Sequence, residues 1–325
     1  MTTNISKYKE QHKYTGMLLF CFFMLAILLC FPDTTIPLIR ESILIWYNNL
    51  LPTLFPAMIL SNIILYIFLH KNSHSFRIPL LSALYRLDTY GSLVLLLGFL
   101  CGFPIGSYLC AKLVRENRLS SDKGQRLLGF CNNLSPIYIV SIYCRLFPVL
   151  PSYIVLLIFY GCPLLYGLIL FRFCSLSESP AKHGALNPSS VQTAASRSIT
   201  EMIDYGISDA LSSIVRLAGY IVFFRLFLLP LRLMGTNLTI KLLLGNLIEI
   251  TSGVLIYEQY ANPADTFTIL LYTLPFMTFG GLCCIGQTIC MLKDSGLSIP
   301  IYLRDKIIQG FMAYAIIIIL SFIMQ

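Results

Sequence analysis

The stretch LLLGFLCGFPIGSYLCAKL, Leu95 to Leu113, decides how the chain is read. It is apolar enough to enter a bilayer, yet Gly98, Gly102, Pro104 and Gly106 crowd its middle. Basic residues lie on both sides of it: Lys71 and Arg77 before, and Lys112, Arg115, Arg118, Lys123 and Arg126 after. Basic loops stay cytoplasmic, so the uncharged run from Thr89 to Ala111 has both ends on one face. It predicts a re-entrant hairpin with Gly102, Pro104 and Gly106 at its tip. Non-helical backbone at membrane depth persists only where protein buries it or a wet cavity borders it. Phe103, Pro104, Gly106 and Ser107 therefore form a candidate binding wall. A second reading stands beside this one, since Gly98, Gly102 and Gly106 have the spacing of a small-residue packing face.

The rest of the chain fits a membrane setting. Its 325 residues are 57% hydrophobic and 12% charged, where soluble domains carry about 25% charged residues. Uncharged runs near the roughly 18–20 residues of a spanning helix recur along it. The formal charge of +8 sits in short loops between those runs, a pattern of membrane orientation and not of nucleic-acid binding. Eleven cysteines lie mostly inside apolar runs with no C-x-x-C pair, as small core residues and not metal ligands. No H-E-x-x-H, G-x-S-x-G or G-x-G-x-x-G is present, so an enzyme is not expected.

From the N-terminus, Lys7, Lys9 and Lys13 precede an apolar helix, Met17 to Phe31. It resembles a signal peptide but lacks a small-x-small cleavage site, and is expected to be retained. Residues 36–48 read as an interfacial helix, Leu51 to Leu69 as a span, Leu127 to Cys144 as a broken span and Ser152 to Phe171 as a span. After a Ser-, Pro- and Ala-rich stretch come an amphipathic segment (199–210), a span (Leu211 to Leu231) and a second hairpin (Leu242 to Tyr260). A helix carrying FGGLCCIGQ (Phe279 to Gln287), a loop with Lys293, Arg304 and Lys306, and a last helix from Ile307 to Met324 complete the path.

The second half echoes the first. Leu242 to Gly245 repeats Leu95 to Gly98, and at the same offset Gly253 falls on Gly106. At nearly that offset Phe279 to Gln287 lies over Cys131 to Ile139. The expected fold is an all-α polytopic membrane protein of about seven transmembrane helices and two re-entrant hairpins, arranged as two inverted repeats with broken helices. Its divisions are 1–35 (N-terminal membrane helix), 36–173 (first repeat), 174–198 (cytoplasmic linker) and 199–325 (second repeat).

In the order of GFPIGS followed by a basic loop, then FCNNLSP, EITSG and FGGLCCIGQ ahead of a Lys-containing loop, the chain resembles the YlbJ-type sporulation integral membrane proteins. That family carries the nucleoside-recognition (Gate) domain, and its architecture is similar to that of concentrative nucleoside transporters. The resemblance covers about residues 36 to 325. It implies translocation of dipicolinic acid toward the forespore, in the outer forespore membrane, and by analogy a homotrimer in the lipid bilayer. A nucleoside or nucleobase transporter and a non-transporting envelope scaffold are the alternatives. Where many relatives have Ser in the second broken helix, this chain has Cys283 and Cys284.

A half-helix that begins inside a membrane offers unpaired N–H groups and a positive dipole end to a carboxylate. Such starts are expected at Gly106–Ser107, at Ser135–Pro136, at Thr251, Ser252 and Gly253, and near Gly280 and Gly281. Ser135 is placed as N-cap with Pro136 at the first helical position. Asn132, Asn133 and Gln287 would add amide donors. Glu249, a carboxylate inside an apolar segment, marks a functional position, and a role in coupling Na⁺ or H⁺ is favoured over a structural hydrogen bond; no cofactor is expected. Arg225 is read as snorkelling to the outer interface, and Lys112 as an orientation signal.

Overall fold

The computed structural model describes residues 2–70, 78–146, 150–173, 198–233, 237–260 and 266–323. The expected linker lies outside these residues except for Ser198, as do Lys71 and Arg77. In chain order the helices are α1 (Thr2–Cys30), α2 (Pro32–Ile45), α3 (Leu51–His70), α4 (Pro79–Tyr85), α5 (Thr89–Cys101), α6 (Ile105–Arg115), α7 (Ser121–Cys131), α8 (Pro136–Tyr138), α9 (Cys144–Leu146), α10 (Ser152–Phe173), α11 (Ile199–Leu226), α12 (Leu229–Leu233), α13 (Leu238–Ile248), α14 (Ile250–Tyr260), α15 (Thr266–Phe279), α16 (Gly281–Met291) and α17 (Ile299–Ile323). Wide π turns join α2 to α3 and α8 to α9. Among the described residues every regular element is helical.

Five helical stretches among the described residues are long and apolar enough to cross a membrane: Pro32–Leu69, Ser152–Phe173, Ile199–Leu226, Leu270–Met291 and Ile299–Ile323. A sixth arises if α4 and α5, bent by 101° at their junction, are taken as one span. The apolar part of α1, Tyr14–Cys30, is shorter, and the broken Leu127–Cys144 stretch divides into α7 and the short α8, so the described spans fall below the seven expected. Large apolar side chains such as Leu29, Phe173, Phe311 and Phe322 point outward with little cover, as a lipid-facing surface requires.

Three boundaries differ from the sequence reading. Residues 36–48, expected as a separate interfacial helix, run through a π turn into α3 as the one stretch Pro32–Leu69. The segments 199–210 and Leu211 to Leu231 merge through α11, capped by Ser198 accepting from the Thr200 amide. Gly206 does not interrupt it, because its bare Cα lets α11 lie close to Ile59 and Ile63 of α3. The last helix begins at Ile299, not Ile307. Ser298 with Pro300 just behind it is a helix-start signal that extends the apolar run over Arg304, Asp305 and Lys306.

The core gathers where α5, α6, α7, α15, α16 and α17 converge, and it includes Phe130, Tyr143, Phe159 and Tyr302, all essentially inaccessible. Both hairpins and both interrupted helices end inside it. That placement sets up the site.

Candidate functional site

Helix α5 starts on Asp88, whose carboxylate accepts from the Gly91 amide at 2.8 Å. It runs to Gly102, reverses through Phe103 and Pro104, and returns as α6. The two ends of the hairpin lie together. Lys123 Nζ, beyond α6, is 3.5 Å from Asp88 Oδ2, and the Arg118 guanidinium stands 5.9 Å from the Tyr90 ring centre. Gly98 and Gly106 face each other, so that a Cβ on Gly98 would come 3.3 Å from the Gly106 Cα. The glycines thus let α5 and α6 pack closely, as the small-residue reading expects.

The tip is seated on the interruption after α7. The Phe103 amide donates to the Asn133 carbonyl at 2.6 Å, and the Ser107 amide donates to Asn132 Oδ1 at 3.2 Å. Residues 132–135 leave the helix, and Asn132, Asn133 and Ser135 are all buried. Asn132 Nδ2 donates to Thr288 Oγ1 at 2.9 Å and to the Tyr302 hydroxyl at 3.1 Å, while Asn133 Nδ2 donates to the Phe130 carbonyl at 2.7 Å. Ser135 is the N-cap expected of it, its hydroxyl accepting from the Tyr138 amide at 3.2 Å with Pro136 at the first helical position. Ser135→Ala should cost about 1 kcal/mol of stability, seen as a lower unfolding midpoint of the purified protein.

The second hairpin, α13 and α14, uses the same device. A Cβ on Gly245 would come 3.2 Å from the Gly253 Cα, the pair that the sequence offset lays over Gly98 and Gly106. Its turn is tighter. Only Glu249 is extended (φ −148°, ψ 113°). Its carboxylate folds onto the following helix, accepting from the Thr251 amide at 3.0 Å, the Ser252 amide at 2.8 Å and the Ser252 hydroxyl at 2.6 Å. The N-terminal cradle expected to bind an anion at Thr251, Ser252 and Gly253 is therefore filled by the chain's own carboxylate. The structural hydrogen bonds ranked second for Glu249 are present. Asn246, missed in the sequence, fills the space beside Gly253 and donates to the Leu242 and Tyr272 carbonyls at 2.9 and 3.0 Å.

The second interruption is a single left-handed turn, Gly280 at φ +103° followed by Gly281 at φ +65°. A Cβ on Gly280 would press on the Phe103 ring at 2.9 Å, so glycine lets α15 and α16 bend around the first tip. Beyond it, Gln287 Nε2 lies 3.3 Å from Cys283 Sγ and its Oε1 is buried without a partner.

Three buried polar residues come from α17: Asp305 and Lys306, where the sequence had suggested a loop, and Gln309, within the expected last helix. Lys306 is fully buried, its ammonium donating to Asn133 Oδ1 at 2.7 Å and to the Thr278 carbonyl at 3.4 Å. Asp305 accepts from the Tyr166 hydroxyl at 2.7 Å and from Arg304 at 2.8 Å, and presses on Gly129, where a Cβ would find no room. Gln309 Nε2 donates to the Gly129 carbonyl at 2.7 Å. Their signal lay in spacing: Tyr302, Asp305, Lys306, Gln309, Gly310 and Ala313 form one helical stripe. Arg225 does not snorkel. It is buried and paired with Glu41 at 3.1 Å, with Arg232 joining the same carboxylate at 2.7 Å. Lys112 donates to the hydroxyls of Tyr205 (2.6 Å) and Tyr108 (3.1 Å), tying α6 to α11.

All four interrupted segments border one cavity of about 40 Å³. Phe103 comes from the first tip, Ser135 and Tyr138 from the first break, Glu249 and Thr251 from the second tip, and Cys283 and Gln287 from beyond the second break. Leu50 and Leu54 of α3, with Leu217 and Ile221 of α11, close the remaining side. The two halves meet across it where the Tyr138 hydroxyl lies 3.5 Å from Thr251 Oγ1. Such a volume holds a few waters and no aromatic solute, and most polar groups around it are paired with one another. Of the expected binding residues, Phe103, Ser135, Thr251 and Gln287 reach the cavity together with Glu249. Pro104, Gly106, Ser107, Asn132, Asn133, Ser252, Gly253, Gly280 and Gly281 shape the supporting shell.

The sporulation integral membrane protein YlbJ of Bacillus subtilis (strain 168) is 27% identical to this chain over 120 residues. The resemblance to YlbJ-type proteins is borne out. The match covers 37% of this chain and 29% of its YlbJ relative, less than a third of that protein's length. No protein-family model matches the chain, and no solved structure matches it. The likeness to YlbJ, with the long apolar helices, makes this an integral multi-pass membrane protein related to a sporulation protein.

Proposed function

We propose that this YlbJ-type chain is a membrane transporter that passes a small solute through the junction of two hairpin tips and two interrupted helices. The observation that carries the reading is the single cavity bordered by all four of those segments. Broken helices meeting at mid-depth between repeats are how secondary transporters build a site. On this reading the hairpins are re-entrant from opposite faces, the halves are inverted repeats, and the paired glycines Gly98–Gly106 and Gly245–Gly253 support their equivalence. The small, internally paired cavity corresponds to a closed state, and the solute enters when the tips part.

The resemblance favours dipicolinate moved toward the forespore across the outer forespore membrane. Buried Lys306 behind Phe103 supplies positive charge suited to such a dianion. One observation favours a neutral nucleoside or nucleobase instead: Glu249 is the one Asp, Glu, Lys or Arg side chain bordering the cavity among the described residues. Uptake by proteoliposomes separates the two. Dipicolinate should accumulate and uridine should not, and Asn133→Ala, which removes the support of both Lys306 and the turn at Phe130, should lower uptake about tenfold or more. Uptake of neither solute, or an Asn133→Ala protein that transports like wild type, removes the reading.

A further inference from the structure

We propose that Lys306 is the resident cation of this junction, an ammonium tethered where a coupled ion would otherwise sit, so that the junction takes no free Na⁺. The inference deepens the transport reading and rests on it only for the uptake measurement below. Helices α7 and α15 both end at the junction, and helix C-termini carry partial negative charge. In broken transmembrane helices such ends, with unwound carbonyls, are the places that hold cations. Here the cation arrives on the chain. Lys306 Nζ takes Asn133 Oδ1 just past the end of α7 at 2.7 Å and the Thr278 carbonyl in the last turn of α15 at 3.4 Å. Its third direction lies over the Phe103 ring, 5.4 Å from the ring centre, within cation–π range.

While Lys306 holds Asn133 Oδ1 and the Thr278 carbonyl, the other oxygens around the first break offer little to a free metal ion. Asn132 Oδ1 accepts from the Ser107 amide, the Asn133 carbonyl from the Phe103 amide, the Leu134 carbonyl from the Tyr160 hydroxyl and the Ser135 hydroxyl from the Tyr138 amide. A second positive charge placed among them would also face the ammonium at close range. Nor is the ammonium spoken for by a carboxylate: no ion pair to Lys306 occurs among the described residues, and neighbouring Asp305 is held by Arg304 and Tyr166. What balances Lys306 is the pair of helix ends. Phe103, bordering the cavity and covering Lys306, makes the first tip sensitive to that charge.

Thermal unfolding of the purified full chain in NaCl and in choline chloride at equal ionic strength tests this without any transported solute. The wild type should unfold at the same temperature in both salts. Lys306→Ala should unfold at a lower temperature in choline and regain roughly 2–4 °C in Na⁺, as an ion fills the vacated place. Lys306→Arg should remain indifferent to Na⁺. Should the alanine variant not fold, Lys306→Met, which keeps the bulk and loses the charge, should be destabilised equally in both salts. Saturable stabilisation of the wild type by Na⁺, Na⁺-dependent dipicolinate uptake by it, or an alanine or methionine variant as stable as wild type in choline would each overturn the proposal. If no solute is taken up at all, the transport reading falls while the unfolding comparison still decides the role of Lys306.

Discussion

Gly102→Ala should unfold the junction more severely than any other single methyl group added at either tip. Gly102 sits at φ +78°, ψ −167°, a backbone region that residues with a Cβ enter only at about 1–3 kcal/mol of strain. The added carbon would also press on the Ser135 amide nitrogen and lie 2.8 Å from the Ser135 Cα, and overpacking of that kind costs about 1–3 kcal/mol more. Together these approach about 3–5 kcal/mol, a large part of the roughly 5–15 kcal/mol that holds an ordinary domain together. The measurement is the unfolding midpoint and the monodisperse yield in detergent. Gly161→Ala is the control, since a Cβ there meets nothing within 4 Å, and in a helix interior it should be neutral or stabilising by about 1 kcal/mol. A Gly102→Ala protein as stable as wild type would mean that the tip is not seated on the first break.

Glu249→Ala is the second large effect. It would leave the Thr251 and Ser252 amides and the Ser252 hydroxyl without their acceptor in a buried setting. At about 1–3 kcal/mol for each donor left unsatisfied, the loss should reach about 3–5 kcal/mol. Glu249→Gln retains an oxygen acceptor and should lose roughly half as much. Stability and uptake should fall together through this series, because the carboxylate holds the second tip in shape. A Glu249→Gln protein of wild-type stability with abolished uptake would instead return Glu249 to a coupling role.

The sequence made the hairpins and the first break legible because they rest on signals that act locally. Glycines at helical spacing, a proline behind a serine and basic residues on both flanks each constrain the backbone without reference to distant parts of the chain. Gly98, Gly106, Asn132, Asn133 and Ser135 were found in this way. Lys306 was not, because Arg304, Asp305 and Lys306 together look like a polar loop. Only packing distinguishes Arg304, with its side chain more than half exposed, from its two buried neighbours. Glu249 was located, but its hydrogen bonds to its own helix depend on a one-residue turn that composition does not specify. Asn246 escaped for a similar reason. Its importance comes from the bare Cα of Gly253 and from the Tyr272 carbonyl on a later helix.

The sidedness of the first hairpin is the most direct test of the architecture. Ala83 and Glu116 are exposed on either side of it and can be replaced singly by cysteine, in a chain whose exposed Cys21 and Cys30 are changed to serine. A hairpin that enters and returns predicts that a membrane-impermeant maleimide reaches both positions from the cytoplasmic face and neither from the outer face. Labelling of the two from opposite faces would make α5 and α6 a crossing segment, and the shared cavity would lose its first wall.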